Sequence, residues 1–287
     1  MTLPVSGAIS LGDVNVELQR SATATISMND AELRTLFAVS SGAISLATGY
    51  GRANKFPISI TSNQTNFNLR DYLVANGWNQ VSKAEVTINS GVLIYATTTS
   101  NKALTISGSF PGGVEIFNNG NITGHSGGGG GASYATGGGG GAGGTALYTT
   151  VPLTLTNNGL IAGGGGGGGV RRYAWSNIYP GGYRQVASGG GGKGQDRASG
   201  NTGGAGGGTQ VYTYEYTGYC GRMTGGTGGT GGTWGNAGAN GAGGYVTGNW
   251  GAGSVSGGGG GGAGGKSVEG NANITWLVTG TIYGSQT

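Results

Sequence analysis

Glycine recurs along this chain in tracts, at 127–131, 137–144, 163–169, 189–194, 203–208, 225–232, 235–244 and 257–265. Ordering glycine loses more chain entropy than ordering any other residue. Such tracts must therefore remain linkers or pack where no side chain fits. A linker needs one tract and usually mixes in Ser. Repeated tracts of matched length predict rods lying side by side. The polyproline-II conformation is the physical candidate, with three residues per turn and a rise of about 3.1 Å, so eight residues span about 25 Å. Built from glycine alone, a polyglycine-II rod leaves its N–H and C=O groups free to pair with neighbouring rods, and Cα–H···O contacts add a second-order term. The residues that interrupt the tracts are small: Ala142, Ala205, Thr227, Thr230, Ala237, Ala239, Ala242 and Ala263. They are expected where a rod faces outward.

The glycine is confined to one region. Of 72 glycines in 287 residues, 58 lie within 121–265, with five prolines in the whole chain and no sustained G-X-Y period, which argues against collagen. Charged residues make up only 8% of the chain, which fits disorder poorly. Within 121–265, Arg171, Arg172, Arg184, Lys193, Arg197 and Arg222 face only Asp196 and Glu215, so this region carries the whole net charge of +4. All five Phe residues precede it, whereas ten of the fourteen Tyr and three of the five Trp lie inside it. Phe suits cores, and Tyr and Trp with their polar tips suit wet interfaces.

Before the glycine region, "SGAISL" occurs at 6–11 and again at 41–46. Between the two copies "SMNDAELRTLF" predicts a helix capped by Asn29 or Asp30. The alternation of Val14, Val16 and Leu18 predicts a strand. Residues 1–52 thus form an expected small docking element of strands plus one helix. In 53–120, "FPISI" predicts a strand and "NFNLRDYLVANGW" a helix capped by Asn66 or Asn68 and ended by Gly77. Successive short strands with period-2 patterning follow, in the manner of a coiled or stacked β architecture. Three segments match one another: "FNNGNITG" (117–124), "TNNGLIAG" (156–163) and "LVTGTIYG" (277–284). Each reads as strand, Asn-Gly or Thr-Gly turn, Ile and Gly exit. They are expected to be equivalent rungs of one β layer, with the glycine-rich stretches as excursions thrown out between rungs.

Between tracts the sequence turns abruptly to "VRRYAWSNIYPGGYRQVAS" (170–188), "TQVYTYEYTGYCGRM" (209–223) and "YVTGNW" (245–250). Tyr, Ser, Gly and Asn, with Trp and Arg as anchors, is the composition of a binding surface. The candidate contact residues are Arg171, Arg172, Tyr173, Trp175, Tyr179, Tyr183, Tyr212, Tyr214, Tyr216, Tyr219, Tyr245 and Trp250. Arg171 and Arg172 suit acidic loops or phosphate groups on a target. Catalysis finds no support, so no enzyme activity, cofactor or metal is expected. His125 stands alone between Gly124 and Ser126, and Cys220 has no second cysteine for a disulfide or a metal site. "GGKGQD" (191–196) and "GAGGKS" (262–267) lack the context of a phosphate loop. Six bases across the glycine region are too few for nucleic acid. No apolar run is long enough to span a bilayer, so no stable membrane insertion is expected. The N-terminus lacks a secretion signal, which predicts synthesis in the cytoplasm and any extracellular role reached by assembly.

The alternation of glycine tracts with aromatic segments over roughly 120–265 resembles the tail-fibre tip adhesins of T-even-like bacteriophages. "SGAISLGDVNVEL" and "SGAISLATGYG" are similar to segments near the start of phage tail and fibre proteins. The residue patterns predict a mainly β chain with a small N-terminal α+β docking region and a short-stranded stacked β layer, and the resemblance implies that 121–265 is a polyglycine-II helix sandwich with exposed loops; the first 120 residues do not resemble the attachment domain of those adhesins. The expected divisions are 1–52 for tail docking, 53–120 as connector, 121–265 for receptor binding and 266–287 as strands returning to the layer. The resemblance implies a virion protein at the tail tip or tail fibre that binds a Gram-negative outer-membrane protein, more than lipopolysaccharide, and joins other tail proteins through its N-terminal region. The alternative is a glycine-rich tail or coat protein whose Tyr residues mediate self-association.

Overall fold

The computed structural model describes residues 3–131, 138–170, 172–176, 183–187, 211–216, 219–224, 227–242, 245–248, 254–256 and 259–287. Its N-terminal unit holds two short helices, α1 (Leu11–Glu17) and α2 (Ala31–Phe37), and a 3-10 turn at Leu46–Gly49. The strand expected over Val14, Val16 and Leu18 is instead α1 and its C-cap. Ser10 explains the difference. Its Oγ accepts from Asp13 N at 3.0 Å while Asp13 Oδ2 accepts from Ser10 N at 2.8 Å, a reciprocal cap that starts a helix. Val14 and Leu18, four residues apart, then share one helix face and are both buried. Described residues 3–52 contain no strand, so the expected α+β docking region is helical. Its apolar cluster of Leu3, Ile9, Val14, Leu18, Leu33, Leu36 and Phe37 is separate from the core of the remaining chain. The second helix begins after Asp30, one of the two caps expected.

From residue 55 the chain winds into a coil with three parallel sheets as its faces. The first turn is β1 (Lys55–Ile60), β2 (Gln64–Thr65) and β3 (Phe67–Asn68), followed by α3 (Leu69–Ala75). Asn68 caps α3 by accepting from Arg70 N and Asp71 N, and Gly77 follows at φ +91°, as expected. The second turn is β4 (Lys83–Ile88), β5 (Leu93–Tyr95) and β6 (Leu104–Ile106), and the third is β7 (Val114–Asn118), β8 (Asn121–Thr123) and β9 (Leu147–Thr149). The fourth opens with β10 (Leu153–Asn157) and β11 (Leu160–Ala162). A long excursion then carries β12 (Arg172–Ser176), β13 (Tyr183–Ala187), β14 (Val211–Tyr216), β15 (Tyr219–Thr224), β16 (Tyr245–Gly248) and β17 (Ser254–Ser256). The coil resumes with β18 (Val268–Glu269), β19 (Ile274–Val278) and β20 (Thr281–Tyr283).

The strand orders are β1-β4-β7-β10-β19, β2-β5-β8-β11-β20 and β18-β9-β6-β3. The three matching segments are therefore successive rungs, as expected: Asn118 pairs with Asn157, and Ile122, Ile161 and Ile282 stack in register. Burial alternates along β4, β7 and β10, as period-2 patterning requires. Val86, Ile116 and Leu155 form one inward column by register, and Ile94, Leu104 and Leu147 extend the same core. At the corner between the first two faces, Asn118 Nδ2 donates to Asn157 Oδ1 at 2.7 Å, and Asn157 Nδ2 donates to Thr279 O at 2.6 Å. Both asparagines are buried, so this ladder satisfies polar groups the turns would otherwise strand. Outside the coil, Lys55–Glu85 and Lys83–Glu115 bridge neighbouring turns at 2.5 and 2.6 Å.

All the glycine-rich excursions leave at one corner, between the second and third faces. The connection there is Asn66 alone in the first turn, then 96–103, 124–146 and 163–267 in the turns that follow.

Candidate functional site

The corner excursions stand beside the coil as a set of glycine rods. The described residues comprise six: 124–131, 138–144, 163–170, 227–235, 236–242 and 259–265. Rod 163–170 bonds to all five others. Its hydrogen bonds change partner with every residue and return to the same partner at every third. Gly164, Gly167 and Val170 donate to Gly144, Gly141 and Gly138, and accept from Gly265, Gly262 and Gly259. Gly166 and Gly169 donate to Asn236 and Ala239, while Gly163, Gly166 and Gly169 accept from Gly235, Gly232 and Gly229. Gly165 and Gly168 accept from Gly127 and Gly130. These bonds are 2.7–3.0 Å long, and every residue of 163–170 is buried.

That environment explains the uninterrupted run of seven glycines. A Cβ on Gly167 would lie 1.9 Å from Gly128 O, and one on Gly164 would lie 1.9 Å from His125 O. The alanines and threonines that interrupt the described tracts lie where a rod meets solvent. Ala142, Thr227, Thr230, Ala237, Ala239, Ala242 and Ala263 are all exposed, as the interruptions of the tracts predict. Ala205 and the tracts at 189–194 and 203–208 lie outside the described residues.

The rods are rooted on the coil. Gly163 donates to Tyr283 O of the last turn, and Trp234 and Tyr283 rings meet at 6.1 Å beside the turn that joins two rods. Near the point where the excursion rejoins the third face, Lys102 Nζ lies 2.7 Å from Glu269 Oε2 and over the Tyr148 ring. The hydrogen bond from Lys102 is the main reason that the Glu269 carboxyl sits below the usual carboxylate range.

At the far ends of the rods the chain changes to short antiparallel sheets, one ordered β13-β12-β17 and the other β14-β15-β16. Rod 163–170 runs into β12, and β15 runs into rod 227–235. The sequence-predicted residues fall on these strands: Arg172, Tyr173 and Trp175 on β12, Tyr183 on β13, Tyr212, Tyr214 and Tyr216 on β14, Tyr219 on β15 and Tyr245 on β16. Arg171, Tyr179 and Trp250 lie outside the described residues. Register pairs Trp175 with Arg184 and Tyr216 with Tyr219. Sequence reasoning overlooked β17, whose Ser254, Val255 and Ser256 pair with Ala174, Tyr173 and Arg172. Its alternating Ser-Val-Ser between glycines was the available signal. Among the described residues no cluster of His, Cys, Asp and Glu could hold a metal ion, and no helix is long and apolar enough to cross a membrane.

The described residues thus form a three-faced β coil bearing a glycine frame, with short antiparallel strands beyond the rods. The chain belongs to the phage tail fibre adhesin Gp38 family, whose model matches residues 55–287. Among solved structures it is similar to the gp37–gp38 adhesin tip complex of the bacteriophage S16 long tail fibre. The match has a TM-score of 0.53 at 22% identity, over 99% of this chain and 100% of that one, a likeness of fold. No curated protein matches the chain significantly.

Proposed function

We propose that the chain is the host-recognising adhesin of a phage tail, binding a Gram-negative surface receptor through the segments 170–188, 209–223 and 245–250. The observation that carries this reading is the change of character at one level of the frame. Val170, still hydrogen-bonded as a rod residue, lies two positions before the start of the basic and aromatic β12, and β15 ends three positions before a rod begins. The rods themselves are read as polyglycine-II helices, because three residues per turn sends every third hydrogen bond to the same neighbour. Rigid aromatics with Arg anchors favour an outer-membrane protein over lipopolysaccharide. Arg171, Arg172, Tyr173, Trp175, Tyr179, Tyr183, Tyr212, Tyr214, Tyr216, Tyr219, Tyr245 and Trp250 are the proposed contacts. The helical unit before residue 53 is read as the joint to another tail-fibre protein. The role is binding without catalysis.

Adsorption tests the reading. The purified chain should bind Gram-negative cells of the host and block phage attachment. Replacing 170–188 with a short Gly-Ser loop should abolish both while thermal melting stays unchanged. Binding that survives this replacement removes the loop from the contact surface, and absence of binding by every version favours a self-associating structural protein.

A further inference from the structure

From the end of β15 the sequence repeats Thr-Gly-Gly three times, from Thr224 to Gly232. Thr227, Thr230 and Thr233 are exposed, one at every third residue. Facing them, Asn236 donates to Thr233, Ala239 to Thr230 and Ala242 to Thr227. The same register carried outward sets Tyr245 against Thr224 and Gly248 against Gly221. Those are the pairs that β16 and β15 make. Rods 227–235 and 236–242 and these two strands thus follow one antiparallel hairpin ladder, with Trp234 and Gly235 at its tip.

Both legs of the hairpin lie along the central rod. Gly235, Gly232 and Gly229 donate to Gly163, Gly166 and Gly169, while Gly166 and Gly169 donate to Asn236 and Ala239. Glycine-rich pairing of this kind specifies register weakly. A slide by three residues lays Thr-Gly-Gly on Thr-Gly-Gly and brings an equivalent donor to each carbonyl. It also carries β15 and β16 by about 9 Å, at a rise of about 3.1 Å per residue.

The tip breaks this equivalence. Trp234 meets the Tyr283 ring at 6.1 Å. Gly235 turns the chain at φ +67°, and a Cβ there would lie 2.3 Å from Gly284 Cα, so the tip backbone abuts the exit of the last coil turn. That exit is itself held. Ser267 N and Oγ each donate to Ser285 O at 3.0 Å, and Oγ also lies 3.0 Å from Gly284 O. Tyr283 O accepts from Gly163 N, so the central rod starts from the same residues.

We propose that the Trp234–Gly235 tip, seated on Tyr283 and Gly284, is an end stop: it selects one of several equivalent registers along the glycine rods and so sets how far β15 and β16 stand from the coil. Trp234 and Gly235 are then positioning residues, acting through the hairpin on Tyr219 and Tyr245. This rests on the reading of those strands as receptor-facing.

The test uses the full chain, hydrogen exchange at backbone amides and binding to host cells. Gly235→Ala drives backbone into backbone at the stop and should raise exchange of the Gly163 amide roughly tenfold or more, while β15 and β16 stay paired. Trp234→Ala should do the same, and Trp234→Phe, which keeps a ring against Tyr283, should behave as the parent chain. Unchanged exchange at Gly163 in both Gly235→Ala and Trp234→Ala overturns the stop. A second arm leaves the stop intact. Adding Thr-Gly-Gly before Thr227 and Asn-Gly-Ala after Ala242 lengthens each leg by one repeat, beyond its bonds to the central rod. Protection of Gly163, β15 and β16 should stay unchanged while the strands stand about 9 Å further out and cell binding falls at least about tenfold. Loss of β15–β16 protection in that variant overturns the single hairpin. Unchanged binding overturns the positioning role if Tyr219→Ala combined with Tyr245→Ala lowers binding. It overturns the receptor-facing reading if that double change is silent as well.

Discussion

Gly167 offers the sharpest test of the glycine frame. It sits in the buried central rod, donates to Gly141 O at 2.8 Å and accepts from Gly262 N at 2.7 Å. In Gly167→Ala the added Cβ would lie 1.9 Å from Gly128 O and 2.5 Å from its carbon. The obstacle is backbone on both sides, so no rotamer relieves it and a neighbouring rod must retreat by about 1 Å or more. Two hydrogen bonds at about 1 kcal/mol each and overpacking of about 1–3 kcal/mol put the cost near 3–5 kcal/mol. At this chain length that corresponds to roughly a 10 °C fall in the melting temperature of the glycine frame. Gly128→Ala is the matched control, because its Cβ meets nothing within 4 Å and its φ lies outside the left-handed region. That change should be neutral or stabilise by about 0.4–1 kcal/mol through the unfolded chain. Both variants are read by calorimetry and by melting followed through Trp fluorescence. Equal melting of the two variants would refute the idea that close approach of backbones selects the glycines.

Two further outcomes follow from the coil. Asn157→Ala removes the acceptor of Asn118 and the donor to Thr279 O inside a buried corner, which should cost about 2–4 kcal/mol in urea unfolding; a loss below about 0.5 kcal/mol would mean that the ladder is not structural. Glu269 is held below the usual carboxylate range mainly by the hydrogen bond from Lys102, so its contribution is complete above about pH 4.3 and disappears as pH falls through the lowered value. Lys102→Met should flatten that acid limb in melting curves between neutral and acid pH by about 0.2–1 kcal/mol, and an unchanged limb would assign it to other carboxylates.

How much of this was legible beforehand depended on the physical scale of the signal. The rungs were legible because Asn119-Gly120, Asn158-Gly159 and Thr279-Gly280 mark the same turn at the same offset from an inward Ile. The outward positions of Ala142, Thr230 and Ala263 were legible because a Cβ needs space. The helix α1 was misread because alternation of Val14, Val16 and Leu18 outweighed the short Ser10–Asp13 cap. The central place of rod 163–170 was readable in retrospect from its being the longest run of glycine alone. The pairing of rods and strands across the excursion was not legible, since glycine has no side chain to encode a partner. Register there is set by hydrogen bonds between backbones that differ only in position.

The single corner from which every excursion departs has a consequence for how such a chain can change. Each turn of the coil is closed by strand pairing above and below, and the strands that leave at that corner join none of its three sheets. The connection there grows from one residue to the span 163–267 without altering the three faces. Closing a longer loop costs only about 0.6 kcal/mol per doubling of length, a small tax beside the stacked core. That corner is an insertion port. The coil can stay fixed while whole glycine-rich excursions are exchanged through it, and the limit on novelty is whether incoming glycine rods find neighbours to hydrogen-bond.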